Sequence, residues 1–287
     1  MKVSLSTATL SIYPLSRTFA LAKELGFEGV ELVVSVEALL RGPAYTMELS
    51  HRHGVPILSL HPALFRFPGW ATMEARWHSS LAWARQLDCS VMVFHAPRQS
   101  LAQGCETLDG LLSSRPGKTP GIALENLPWF HSSGPDVLGT PTAAEYINQF
   151  QDFVAERKLS VTLDTSHAGV GGGDVLAAYE ALKGGIANIH FSDVTGRWPD
   201  LRSAWMHTLL VQHQLPGRGR LPLRELLRRL RRDDYNGLTT LEIGPLALGI
   251  WSPKGVKEGL KRSLAFCRGE DEGFTLHIDT RINEGLE

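Results

Sequence analysis

The chain of 287 residues has little cysteine, little net charge and no long apolar run, and each shortage removes a class of protein. Its three cysteines, Cys89, Cys105 and Cys267, are scattered, odd in number and without a C-x-x-C pair. They give no disulfide frame and point to a reducing compartment. The 29 basic residues against 30 acidic ones leave a net charge of −1, so the chain as a whole has no bias toward nucleic acid or an anionic membrane. No segment approaches the roughly 20 apolar residues that span a bilayer, and the opening "MKVSLSTATL" lacks the apolar stretch of a signal peptide. A soluble cytoplasmic protein with no membrane partner is the default, and nothing bars assembly into a homo-oligomer. Linkers, low-complexity tracts and shifts in composition are also absent. One domain over residues 1–268 is expected, followed by a polar tail over 269–287.

What is present is alternation. Short β-rich runs at Lys2–Thr7, Gly29–Val34, Pro56–His61, Ser90–Ala96, Gly121–Leu127, Ser160–Thr165, Ile186–Asp193 and Leu238–Gly244 read as strands. Helical patterns fall between them at Leu15–Leu25, Ala44–His53, Thr72–Leu87, Thr142–Arg157, Asp174–Leu182 and Pro222–Arg231, with Gly255–Cys267 closing the series. Ala143, Ile147, Phe150 and Val154 make an apolar stripe at helical spacing. The connection "LAQGCETLDGLLSSRPGKTPG" is broken by glycine and proline and has room for a short helix only. Eight β/α alternations in a chain of this length favour an α/β fold of the (β/α)8 TIM-barrel type over an open doubly wound sheet.

In such a barrel, chemistry collects at the C-terminal ends of the strands. Six strands end alike: "ILSLH" at His61, "VMVFH" at His95, "IALE" at Glu125, "VTLD" at Asp164, "ANIH" at His190 and "TTLE" at Glu242. A bulky apolar residue precedes each polar one. If Leu60, Phe94, Leu124, Leu163, Ile189 and Leu241 face the helices, alternation turns all six polar side chains into the mouth. Three carboxylates packed there are costly unless a divalent cation neutralises them. The stretch "VTLDTSH" adds His167 three residues after Asp164. The two can act together only if the strand stops near Asp164 and the chain turns back.

Any one histidine at a strand end is more often a hydrogen-bonding residue than a ligand, and it is the repetition that argues for a site. His51, His53, His78, His131, His207 and His277 fall on helices, loops or the tail and receive the ordinary surface or packing role. Trp70, Trp129, Trp198 and Trp205 lie in loops on the active face, where one or two could stack on a ligand.

The ordered set "LAKELGFEGVEL", "ALEN", "LDTSH", "IHFSD", "LPGRGRLPLRELLRRL" and "LEI" resembles the xylose isomerase-like barrel superfamily over nearly the whole chain. That group includes sugar and sugar-phosphate isomerases and epimerases as well as endonuclease IV. The resemblance implies that Glu125, Asp164, His190 and Glu242 form a common metal site, suited to Mn²⁺, Mg²⁺, Co²⁺ or Zn²⁺. It implies that His61 and His95 match two histidines which, in endonuclease IV, complete a second zinc site sharing Glu125. His167 and His213 match ligands of that enzyme's third zinc. There the match departs, because Val211 stands where an aspartate is expected and leaves a third metal only two protein ligands.

Two enzyme classes follow from the resemblance. As an isomerase or epimerase of a sugar or sugar phosphate, the protein would use Glu125 and Glu242 as general bases and acids around a metal-stabilised enediolate, with His167 on a substrate hydroxyl. His61 and His95 would then contact substrate, and Arg218 and Arg220, in the loop before the basic helix, a substrate phosphate. As a phosphodiesterase of the endonuclease IV type, it would use two or three zinc ions on abasic DNA. Val211, the neutral net charge and the "GFEGVEL" opening favour a small carbohydrate and disfavour nucleic acid as partner. A non-catalytic metabolite-binding barrel would be expected to lose one of the four core ligands, and none is lost.

Overall fold

A computed structural model describes residues 1–65, 67–96, 105–113, 120–128, 142–170, 173–195, 206, 208 and 210–270. Among these residues eight strands are formed: β1 (Lys2–Ser6), β2 (Gly29–Val33), β3 (Ile57–His61), β4 (Val91–His95), β5 (Gly121–Glu125), β6 (Ser160–Asp164), β7 (Ile186–Phe191) and β8 (Leu238–Leu241). Each pairs in parallel with the next, and β8 pairs with β1, so the sheet closes into a barrel in sequence order. β2 is buried along its whole length, as strands covered on both faces are.

The helices return the chain to the start of each next strand. They are α1 (Leu15–Leu25), α2 (Val36–His53), α3 (Met73–Gln86), α4 (Cys105–Ser113), α5 (Ala143–Glu156), α6 (Thr165–Gly169), α7 (Val175–Leu182), α8 (Leu223–Arg232), α9 (Pro245–Leu248) and α10 (Pro253–Arg268). Side-chain caps explain several starts. Thr142 and Glu145 form a reciprocal capping box on α5, and Thr72, Asp174 and Ser252 each accept a backbone N–H at their helix. The expected helix over Ala44–His53 forms as the second part of α2, and Ser35 caps a further short helical stretch from Val36 ahead of it. Gly42, at φ 77° and ψ 171°, leaves the helical region and breaks the two apart at a kink.

Strand alternation divides the apolar residues in two. Leu60, Phe94, Leu124, Leu163, Ile189 and Leu241 all belong to the main core between sheet and helices. Val93 and Ala123, two residues before His95 and Glu125, join Val91 and Leu238 in a separate small cluster. By the pleat they share the inward face of His95 and Glu125 and lie deeper in the barrel. On α8, Leu223, Leu226, Leu227 and Leu230 are buried while Arg224, Arg228, Arg231 and Arg232 are exposed. No helix among the described residues is long and apolar enough to cross a membrane.

Candidate metal centre

The strand β6 stops at Asp164, and the aspartate itself makes the turn. Its Oδ1 caps α6 by accepting from the His167 backbone N–H at 2.8 Å and from Ser166 Oγ at 2.9 Å. That cap folds His167 back over the mouth. The ring Nδ1 of His167 then lies 2.9 Å from the Asn126 carbonyl, 3.1 Å from Glu125 Oε1 and 3.6 Å from Asp164 Oδ2.

The neighbouring strand tips are pinned by short polar residues. The Asn126 amide accepts from Asp164 N–H at 2.8 Å and donates to its carbonyl at 3.2 Å, extending the β5–β6 ladder through a side chain. Thr165 Oγ1 donates to the Ser192 carbonyl at 2.6 Å and accepts from Ser192 N–H at 3.0 Å, tying β6 to β7. These bonds account for the non-ligand letters of "ALEN" and "LDTSH": they hold the carboxylates in register.

At the centre, His190 Nδ1 lies 2.7 Å from Glu242 Oε2, 3.4 Å from Glu125 Oε2 and 3.9 Å from Asp164 Oδ2. None of these four buried atoms has a partner in hydrogen-bonding geometry. A buried polar atom without a partner costs about 1–3 kcal/mol, and more if charged. Four such atoms converging on one point, three of them carboxylate oxygens, fit the donor set of a divalent cation. All four residues offer ligand atoms within 4.8 Å of one another.

Two further groups share members with the first. His61, His95 and Glu125 form one, with His61 Nε2 3.6 Å and His95 Nε2 3.5 Å from Glu125 Oε2. His61 Nδ1 faces the Pro62 carbonyl at 2.8 Å, which leaves Nε2 as the ring atom turned to the site. Asp164, His167 and His213 form the other. This amends the two-ligand expectation, because Asp164 supplies a third donor. Val211 is buried against Val170, Val194 and Leu221 in an apolar cluster of its own.

Charge in the cluster is balanced by histidines. Burial works against protonation of His190, yet the Glu31, Glu242 and Glu125 charges hold its pKa well above the ordinary value. Burial likewise opposes charge on His167, but Asp164 and Glu125 outweigh it and push the ring up to about 9. For Glu242, burial would raise the pKa, and the nearby His190 and His213 bring it down to about 2.

The segment carrying His213 hangs from Asp193. Asp193 pairs with Gln214 as an isolated antiparallel bridge, and its carboxylate accepts from the N–H groups of Gly217, Gly219, Leu221 and Val194 at 2.8–3.0 Å. A side chain at Gly219 would run into that carboxylate and the Val194 carbonyl, which is why "LPGRG" needs glycine there. His213 itself sits at φ 52°, a conformation that costs a non-glycine residue about 1 kcal/mol or more and persists only when held. Asp193→Ala is therefore expected to destabilise the protein by about 3 kcal/mol, since it strips several N–H groups of their acceptor. Urea unfolding checks this, and a loss under about 0.5 kcal/mol would contradict it.

The remaining expected residues are placed elsewhere. Arg218 lines a surface hollow of about 300 Å³ with Leu215, Glu258 and Arg262, a hollow that none of the clustered residues lines. Arg220 donates to the Gly169 carbonyl at 3.2 Å, at the end of α6. Neither is brought into the cluster. Trp70 is buried edge-on against Trp83, whereas Trp129, Trp198, Trp205, His131, His207 and His277 lie outside the described residues. His51 and His78 are exposed on α2 and α3. Cys89 and Cys267 are both buried. One site residue escaped the sequence reading: Glu31 of β2, fully buried, whose Oε1 lies 3.0 Å from His190 Nε2. A charged letter between Val30 and Leu32 in a buried strand was the signal available.

Residues 19–268 match the family described as xylose isomerase-like TIM barrel, and the chain belongs to it. An uncharacterized protein of Mycobacterium leprae is 30% identical over 289 residues, covering 93% of this chain and 97% of its own. Among solved structures, a D-tagatose 3-epimerase-like protein superposes with a TM-score of 0.65 at 21% identity, over 94% of this chain and 99% of its own. An AP endonuclease, family 2, from Brucella melitensis gives a TM-score of 0.61 at 16% identity, over 90% and 96%. At these identities the structural likeness speaks for the fold.

Proposed function

We propose that the protein is a divalent-metal-dependent isomerase or epimerase of a small sugar or sugar phosphate. The observation that carries this reading is the convergence of four partnerless atoms from Glu125, Asp164, His190 and Glu242 at the barrel mouth. One nitrogen and three oxygen donors suit Mn²⁺, Mg²⁺, Co²⁺ or Zn²⁺. A cation held there supplies a Lewis acid that polarises adjacent hydroxyl and carbonyl oxygens and acidifies the carbon-bound proton between them. Glu242, with 19% of its side chain exposed, takes that proton from the open side of the mouth or returns it. Glu125 is 2% exposed and couples through Oε1 to His167, whose remaining ring nitrogen holds a substrate hydroxyl. The strand tips and α6 exclude water from the buried side of the cluster.

A second reading, a multinuclear phosphodiesterase, draws on the two further ligand groups that share Glu125 and Asp164. Against it stands the state of the basic helix. Arg229 and Arg232 pair with Glu180, Arg228 with Glu225, and Arg232 also with Asp233, so α8 offers nucleic acid a largely neutralised face.

Metal stoichiometry and isotope exchange separate the two. Incubation in D₂O with a panel of free and phosphorylated sugars is expected to place deuterium at the carbon beside the carbonyl of at least one of them, only with metal present, and abasic-site DNA is expected to stay intact. His61→Ala combined with His95→Ala is expected to retain one tightly bound cation and to raise KM more than it lowers kcat. Loss of a zinc equivalent in that variant, with DNA cleavage and no exchange on any sugar, would promote the phosphodiesterase.

A further inference from the structure

We infer that Glu31 is the positioning residue of the centre: it fixes His190 as the Nε2–H tautomer, so that the Nδ1 lone pair faces the cation. The inference rests on the metal reading above and adds a residue that none of the three ligand groups contains.

Glu31 lies in the middle of β2, deeper in the barrel than the strand tips, and is fully buried. An ionised carboxylate accepts hydrogen bonds and donates none. The donors around Glu31 are Ser59 Oγ at 2.8 Å and Asn188 Nδ2 at 3.1 Å, both to Oε2. The Asn188 amide is oriented in turn by Thr240 Oγ1, which donates to its Oδ1 at 2.9 Å, and Thr240 meets Ser4 Oγ at 2.8 Å. A polar chain thus runs through the barrel interior from β1 to β8 to β7 and ends on Glu31.

His190 Nε2 closes this arrangement, 3.0 Å from Oε1 and 3.2 Å from Oε2 of the same carboxylate. A neutral imidazole has one N–H and one lone pair. With a buried carboxylate straddling Nε2, the proton belongs there, and the lone pair falls on Nδ1. That lone pair then meets Glu242 Oε2, Glu125 Oε2 and Asp164 Oδ2, all acceptors, and the meeting is favourable only when a cation, or in the metal-free protein a second proton, lies between them. Carboxylate partners of this kind orient a ligating imidazole and raise its basicity, and their loss typically costs roughly 10–100-fold in metal affinity.

The test uses Zn²⁺ as a diamagnetic probe on the full chain. Histidine ¹⁵N spectra of the Zn²⁺-loaded wild type are expected to show His190 protonated at Nε2 and metal-bound at Nδ1. Chelator competition is expected to show Glu31→Gln binding Zn²⁺ roughly 10–100-fold more weakly, and Glu31→Asp, which keeps the charge, recovering part of the loss. The metal-free Tm of both variants serves as the control for a purely structural role. A wild-type His190 that carries its proton on Nδ1 overturns the inference, and the spectrum decides even if the variants fail to fold. So does Glu31→Gln affinity within about threefold of wild type. A wild type that takes up no Zn²⁺ overturns the metal reading itself, which distinguishes the two failures.

Discussion

Glu125→Gln is expected to lower turnover by about 10³-fold or more and to weaken cation binding, the largest effect of any single substitution in the site. The reason is that Glu125 belongs to two of the three ligand groups and touches the third. Its Oε2 lies 3.4–3.6 Å from His190, His95 and His61, and its Oε1 lies 3.1 Å from His167. Glutamine keeps the shape, removes the charge and turns an amide N–H₂ toward groups that require an acceptor. Proton-transfer residues contribute about 10²–10⁴-fold on their own, before any loss of metal is counted. Steady-state kinetics on the sugar that exchanges deuterium, together with metal analysis of the purified variant, check both parts. Turnover within about tenfold of wild type at normal metal content would remove Glu125 from the chemistry.

Removing the metal should shift stability strongly, in a pH-dependent sense that can be worked out. A cation held at a thousand times its Kd stabilises the fold by about 4 kcal/mol, which corresponds to a Tm difference of about 7 °C for a chain of this size. In the metal-free protein, charged histidines take over part of the neutralisation. The His167 pKa is raised to about 9, because Asp164 and Glu125 overcome the effect of burial, and that of His190 is raised as well. A group whose folded pKa lies above its unfolded value of about 6.5 contributes stability that is complete below that pH and lost as the pH climbs through the folded value. The chelated protein is therefore expected to lose Tm between about pH 6.5 and 9. The loaded protein should not, because protons compete less with the cation as pH rises. Calorimetric scans with and without chelator at the two ends of that window give four numbers. Metal-free protein as stable at the upper end as at the lower would contradict the balance of charges described for the cluster.

The sequence disclosed the barrel and its mouth because both are written in local patterns. An apolar letter facing the helices, followed by a polar letter facing in, repeats at Leu60–His61, Phe94–His95, Leu124–Glu125, Leu163–Asp164, Ile189–His190 and Leu241–Glu242, and the pleat alone turns that into convergence. Glu31 was missed because it interrupts an apolar strand at its middle, where no end-of-strand pattern marks it. The first turn of α2 was missed because it is a separate short helix, capped by Ser35 and broken from the rest by the non-helical Gly42, and is too short for an apolar period to show. The course of the loop that carries Arg218 and Arg220 was not legible, because the Asp193 carboxylate sets it through three backbone N–H groups 24 to 28 residues away in sequence, and these leave no periodic trace.

Barrel closure also sets the order in which the protein can come to life. Glu242 follows β8, the last strand to be made, and the interior polar chain passes from Ser4 on β1 through Thr240 on β8 before it reaches Glu31. A nascent chain that has emerged only as far as β7 carries three of the four central ligands on an open sheet with two unpaired edges. The four-ligand centre is therefore complete only once the first and last strands have met, so tight capture of a cation there would report ring closure rather than assist in reaching it.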